Sequence, residues 1–598
     1  MHSRRRSHGC IKPLLAAAAV CSATGIVSIA AAQGVSPPGG VPPIAPRSTQ
    51  PSIPSPAAQL VIPGVNERPL GLTEGPKIVV KAFQLEGAVD LPKYGVRAAD
   101  ARKILDDAIT KEPAQGYAIN ELQAIAGHVA DYYHGKGLVL AQAFVPAQRV
   151  VDGTVTVQVL VGKLEAVRVA GNKHYSTGVL MRPFKRLVGQ PVDKDDVESA
   201  LLTLTGYPGI TAFGVLAAGR ELGTTDLTLR VQREKRVGLD VSVDNEGVAV
   251  SGQYRAQVGL TVNDLFGLAD QLQLSGMYAF DPSTTSEHGT YGGASYTIPI
   301  FSPRDFLELS YFTNAYVVGG LATDLQLTNP KGKASVGELG YRHDFAPSRL
   351  GSASIGAAVD VKRASFSANG TEVFKDDLST AHIDFHWDRI DTRFRGVNQL
   401  LLSYEHGFKN ALGSLGDYDP NVTPRASRDG ATGEFNKGLL SLQRLQGISS
   451  NVSLLLHVQG QETSDPLVSL EQLSLAGPDA VRAYSVADVL VDKGGIGTAE
   501  LIVGAPGFSN RPAFGDRTWG QELQLSLFVD YAAGWLNDFI PGANPTPQYV
   551  NLGGWGGAIQ FNVPGRVFAR IDVATPMTAR RPGNGRDPQY YFRLGVSL

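Results

Sequence analysis

The chain has 598 residues, with 54 Lys and Arg against 56 Asp and Glu, a formal net charge of −2 and only 18% charged residues. That balance gives no basic footprint, so nucleic acid is not expected as a partner. A chain of this length forms several domains, no run beyond the first 32 residues reaches the roughly 18 apolar residues of a membrane-spanning helix, and both cysteines, Cys10 and Cys21, lie inside those 32. The rest of the chain therefore has neither disulfides nor thiolate metal ligands to draw on.

Arg4, Arg5 and Arg6 precede an apolar stretch from Ile11 to Ala31, and Ala30, Ala31 and Ala32 stand ahead of Gln33. A basic start, an apolar middle and an A-x-A site read as a cleaved secretory signal over residues 1–32. A retained anchor is the alternative, but Ser22, Thr24, Gly25 and Ser28 interrupt the apolar run. Gly34–Lys77 holds eleven prolines in 44 residues. Such density excludes a helix of any length and predicts an extended, semi-rigid linker over residues 33–77.

Two units of similar element order follow. In residues 78–162, "KIVVKAFQLEG" reads as a strand, "RAADARKILDDAITK" and "AINELQAIAGHVADYYHGKG" as helices, and "LVLAQAFVP" and "GTVTVQVLVG" as strands. Leu122, Ile125, Ala126, Val129 and Tyr133 fall three and four apart, an apolar stripe that must pack on a sheet. Residues 163–233 repeat the order with "LEAVRVAGN", "STGVLMRPFKRLVG", "DKDDVESALLTLTG", "ITAFGVLAAG" and "TDLTLRVQRE". Each unit is expected to be a three-stranded sheet covered by two helices, an α+β module with exposed strand edges.

Over residues 234–598 the period becomes two. In "QELQLSLFVDYAAGW", Leu523, Leu525, Leu527, Val529 and Tyr531 oppose Gln524, Ser526 and Asp530; "QLQLSGMYAF", "NVSLLLHVQGQ", "FLELSYFT", "HIDFHWDR" and "RVFARIDVA" alternate likewise. Segments of about nine to eleven residues with one apolar and one polar face predict an outer-membrane β-barrel, lipid outside and water inside. A soluble β-sandwich or propeller also alternates, but here Asp, Arg, His and Gln occupy the polar faces and no fixed repeat marks blades. The closing segment "QYYFRLGVSL" suits a last strand pairing with the first. At about 23 residues per strand and loop, the barrel should have about sixteen antiparallel strands.

At this point the chain resembles the two-partner secretion transporters of Gram-negative outer membranes, the haemolysin-activator and filamentous-haemagglutinin transporter group. The resemblance rests on "FVPAQRVVDGTVTVQVLVGKL", similar to the pattern closing a first polypeptide-transport-associated (POTRA) domain. It rests also on "VDNEGVAVSGQYR" and "NDLFGLADQL", similar to the opening strands of the barrel, and on Val481, Arg482, Ala483 and Tyr484, similar to the V-R-G-[YF] tip of a long sixth loop. Ala483 stands where the family carries glycine. The resemblance implies two periplasmic POTRA domains (78–162 and 163–233), a barrel with its sixth loop at about 461–498, and an arginine that folds into the lumen to meet an acidic wall residue. By motif that residue is Asp530 in "FVDYAAGW", which strand parity independently places on the lumen face; Glu500 in "GTAEL" lines the same wall.

The implied activity is export, through the barrel, of an unfolded partner polypeptide. The partner would be a large β-helical adhesin or haemolysin with an N-terminal secretion domain, and the transporter a monomer in outer-membrane lipid that needs no cofactor, metal or catalytic residue. An extended client can add to an exposed sheet edge; the candidate edge is Leu138 to Phe144, with Leu138, Leu140 and Phe144 as contacts. A helical plug is hard to place in so proline-rich an N-terminal segment, where only "SPAAQLVI" could turn helically.

Other classes fit less well. A barrel-assembly insertase usually carries more than two POTRA modules, and a passive porin has no use for them. His382, Asp384, His386 and Asp388 suggest a metal site, but strand residues four apart sit about 13 Å apart, too far for one zinc. "GGIGTAE" lies in no βαβ unit and is no dinucleotide fingerprint.

Overall fold

The computed structural model describes residues 60–61, 77–283, 287–319, 329–419, 421–537 and 549–598. The expected signal peptide, both cysteines and nearly all of the expected linker lie outside the described residues. Within that linker, β1 (Leu60–Val61) is extended, so the one stretch open to a helical reading contains strand instead.

The first module contains β2 (Ala82–Glu86), α1 (Ala98–Thr110), α2 (Ile119–His134), β3 (Gln142–Phe144) and β4 (Thr154–Leu160), with sheet order β2-β4-β3. β2 runs parallel to β4 and β3 antiparallel to it. The Glu121 carboxylate accepts the Ala118 N–H at 2.7 Å, satisfying a free donor at the start of α2. Leu122, Ile125, Ala126, Val129 and Tyr133 are all buried, so the spacing that predicts a packed face delivers it. The expected strand from Leu138 is shorter than its sequence pattern. Gly137 at φ +90° turns the chain out of α2 and drops Leu138, fully buried, into the core, leaving three residues of strand.

The second module contains β5 (Lys163–Ala170), α3 (Thr177–Leu180), α4 (Lys194–Thr205), β6 (Ile210–Ala218) and β7 (Thr224–Glu234). Its three strands carry β1 as a fourth, in the order β1-β6-β7-β5, with Leu60 and Val61 parallel to Gly214 and Val215. The helix expected over "STGVLMRPFKRLVG" is only one turn, followed by a 3₁₀ turn at Arg182–Phe184. Pro183 lacks the N–H that a continuing helix needs. α4 begins where Asp193 accepts the Asp196 N–H at 2.9 Å, an N-cap.

The remaining strands form one closed barrel of sixteen. Its first eight are β8 (Val237–Asp244), β9 (Tyr254–Asn263), β10 (Gln271–Phe280), β11 (His288–Pro299), β12 (Asp305–Val317), β13 (Lys331–Asp344), β14 (Gly351–Ala368) and β15 (Thr371–Asp391). β16 (Gly396–Gly407), β17 (Phe435–Gly447) and β18 (Val452–Glu462) follow, then a two-stranded ribbon, β19 (Leu473–Ser474) with β20 (Leu490–Val491), which is not part of the wall. β21 (Lys493–Gly504), β22 (Leu523–Trp535), β23 (Val550–Val563), β24 (Val567–Pro576) and β25 (Gln589–Ser597) complete it. The sixth loop therefore occupies residues 463–492; β21 starts before the glycine-rich stretch that sequence reading assigned to the loop.

Alternation decides which side each residue faces. Along β22, Leu527 (65% exposed), Val529 and Tyr531 point outward, whereas Phe528, Asp530 and Ala532 are buried toward the lumen.

Closure is made by β25 and β8 over only five pairs, Arg593↔Asp244 to Ser597↔Asp240. Beyond it a side chain continues the ladder. The Asn245 carboxamide donates to the Tyr590 carbonyl at 3.0 Å and accepts the Phe592 N–H at 2.7 Å, as a peptide unit would. Asn245→Leu removes both bonds at the shortest join of the barrel. At about 1 kcal/mol each, the loss should lower the temperature at which the detergent-solubilised barrel shifts to its unfolded gel mobility; an unchanged transition would deny the side chain this part in closure.

Candidate functional site

Loop 6 enters the barrel and lays its tip against β21–β24. Val481, Ala483 and Tyr484 are each fully buried, in an apolar cluster with Phe528, Ala532 and Leu552. Tyr484 is fixed at both ends. Its hydroxyl bonds with Thr578 Oγ1 at 2.7 Å, and its carbonyl accepts the Tyr591 hydroxyl at 2.5 Å.

Arg482 is surrounded by carboxylates. Its Nε and Nη2 donate to the two Asp530 oxygens at 2.9 and 2.8 Å, a fork, and its backbone N–H reaches Asp530 Oδ2 at 3.1 Å. Nη1 donates to Glu500 Oε2 at 2.7 Å and to Asp572 Oδ1 at 3.3 Å. The guanidinium carbon lies 3.3 Å from the centre of the Phe528 ring, a cation–π contact beneath the fork. Arg570 braces the acids from behind, with Nη2 2.9 Å from Glu500 Oε1 and 2.8 Å from Asp572 Oδ1. Asp530 is fully buried, so its charge depends on these donors and on Thr498 Oγ1 at 2.9 Å.

Asp572, Arg570 and Phe528 complete a site whose sequence signal begins and ends with Arg482, Asp530 and Glu500. Their lumen-facing parity is visible in "RVFARIDVA" and "FVDYAAGW"; which lumen residues converge is not, because that depends on barrel shear. Ala483 fits because Gly554, in register with Asp530, has no side chain: a Cβ there would stand 2.5 Å from that of Ala483. Residue 483 is not among those at positive φ, so the tip turn does not require glycine there.

The client-edge candidates divide. Leu138 is core, Leu140 and Phe144 are half-buried, and the free edge of β3 is Gln142–Phe144. In β15, His382 lies between Asp360 and Asp384, at 2.9 and 3.1 Å, on the lumen wall.

A closed sixteen-stranded barrel, preceded by two α+β modules and holding its sixth loop in the lumen, defines the class of outer-membrane barrels with modules ahead of them. A profile of the family described as haemolysin secretion/activation protein ShlB/FhaC/HecB matches residues 223–545, and one of the ShlB-type POTRA domain matches 79–162. The chain belongs to this family of two-partner secretion transporters, whose barrel sits in the outer membrane with its POTRA domains in the periplasm. It is 24% identical over 489 residues to the heme/hemopexin transporter protein HuxB of Haemophilus influenzae (strain 86-028NP), covering 79% of this chain and 80% of that one. To the outer membrane transporter CdiB of Escherichia coli it is 22% identical over 536 residues, 82% and 83% of the two chains. The solved structure of CdiB from Escherichia coli shares the fold at a TM-score of 0.66 and 18% identity, covering 89% of this chain and 93% of that one.

Removing one partner of a buried ion pair costs about 3–5 kcal/mol. Arg482→Ala should therefore undock the tip, leaving a folded, inserted barrel whose loop 6 is open to protease and whose secretion fails. Arg482→Lys keeps the charge without the fork and should fall between. Gly554→Ala should give the same defect with Arg482 intact, relieved by Ala483→Gly. Normal secretion and protease resistance in Arg482→Ala would remove the tip from the mechanism.

Proposed function

We propose that this protein secretes a large partner exoprotein, taking it unfolded from the periplasm and passing it through the barrel to the cell surface. The observation that carries this reading is the docked Arg482: a buried, multiply bonded loop tip holds the lumen in one state yet can be released as a unit. A polar lumen suits a hydrated chain. No energy source is needed in the barrel if the client folds outside and cannot return.

In this reading residues 1–32 are the export signal, 33–77 the linker, 78–162 and 163–233 the POTRA domains and 234–598 the barrel. The client is a β-helical adhesin or haemolysin, and the transporter acts as a monomer. Extended client segments add to free sheet edges of the modules, where main-chain pairing accepts many sequences. Two edges support this: β3 offers Gln142–Phe144, and β6 already carries an extended segment of the chain itself at Gly214–Val215. HuxB and HpmB are named as transporters of heme/hemopexin and of hemolysin; this chain's client is a protein of the same general kind.

The test compares the culture medium and outer-membrane profile of a strain lacking this protein with those of its parent. Loss of one large exoprotein from the medium, with other barrels at normal abundance, is the expected result. A general fall in outer-membrane barrels would instead indicate an insertase.

A further inference from the structure

Loop 6 is held at a second place, on the other flank of its own strands. Glu471, on the descending arm, is 3% exposed and lies between two lysines. Lys362 of β14 donates to it at 2.8 Å, and Lys437 of β17 contacts its other oxygen. Glu405 of β16 joins the same two lysines, at 2.5 Å from Lys362 and 2.9 Å from Lys437. Two ammonium groups and two carboxylates thus form a closed, charge-neutral quartet, all buried. Leu467, Val468 and Leu470 pack beside it on Ala364, Leu378 and Phe435.

The returning arm is tied to the descending one at the same level. Asp492, fully buried, accepts the Leu467 N–H at 3.2 Å and the Gln472 amide at 3.0 Å, and pairs with Arg428 of the fifth loop. Gln461 of β18 donates to the carbonyls of both Glu471 (3.1 Å) and Asp492 (2.8 Å). Above this the β19–β20 ribbon joins the arms. Between ribbon and tip stand two residues in positive φ, Gly477 at +116° and Ala487 at +61°, one on each arm.

We propose that Glu471, with Lys362, Lys437 and Glu405, is a permanent root of loop 6, and that during transport only the tip beyond Gly477 and Ala487 leaves the wall. The proposal rests on the reading of Arg482 as a releasable latch. The partners that each leaves behind on the wall separate the two attachments. The tip adds one guanidinium, Arg482, to three wall carboxylates; when it leaves, Arg570 of β24 stays paired with Glu500 and Asp572, and Thr498 and Ser526 still donate to Asp530 and Glu500. The root is balanced and buried on every side. Withdrawing Glu471 would strand two lysines with a single carboxylate in a site that admits little water. The root's role is positional: it keeps the tip within reach of Asp530 after each transport event.

Residues 33–598 contain no cysteine, so thiols can be placed at will. Three full-length variants are compared in outer membranes, each checked for folding by heat-modifiable mobility. Glu471→Gln should insert but show secretion reduced at least tenfold and raised idle conductance in planar bilayers, with Arg482 still present. Lys362→Cys with Glu471→Cys should behave alike until a short bis-methanethiosulfonate bridges the two thiols, which should restore secretion. Val481→Cys with Gly554→Cys, in an Ala483→Gly background that leaves room for a Cβ at residue 554, should block secretion when oxidised and regain it when reductant is added. Secretion blocked by the root bridge, or parental behaviour of Glu471→Gln, would overturn the fixed root alone. Free secretion with the tip disulfide closed would overturn the latch reading and the root with it.

Discussion

A membrane offers backbone groups no water, so a sheet that crosses it must leave no edge. Closure into a cylinder is the constraint on which the other features depend. It requires β8, which follows directly from the second POTRA module, to lie against β25, and so places both modules at one mouth of the pore. It also forces each strand to divide its residues between lipid and lumen. The lumen side then collects polar groups that need partners, and the sixth loop supplies many of them.

Two ion clusters of unlike make-up result. Around Arg482 a forked cation meets acids held apart on three strands, β21, β22 and β24. Around Glu471 an anion completes a neutral set. An apolar loop could fill the same space, but it would leave Asp530 buried without the Arg482 charge, and Lys362 and Lys437 sharing Glu405 without Glu471. Loop and wall are therefore each other's solvent, which ties the integrity of the lumen to the position of one segment.

Much of this was legible in the sequence. Period-two alternation was sufficient for the barrel and the lumen-facing side of Asp530, because side-chain direction in a strand depends on parity alone, and the length of the alternating region was sufficient for the strand number. The stripe on α2 was equally direct. What escaped has common causes. Leu138 reads as strand by its apolar neighbours, but Gly137 turns it inward. The run from Ser176 reads as helix until Pro183 intervenes. Arg570, Asp572 and the lysines of β14 and β17 each show their face in the sequence and conceal their partners, since partners across a lumen are set by the stagger of many strands together.

The seam has a consequence for how such a molecule can be made. Its hydrogen-bonded partners include Asp240 and Ser597, 357 residues apart, and no earlier strand can substitute for β25. Until that strand is delivered, every intermediate carries two open edges with unpaired amides and a half-apolar surface, a form prone to aggregate in water. The chain must therefore be kept extended in the periplasm and closed in a single late event, so the transporter depends during its own biogenesis on the kind of handling it later gives to its client.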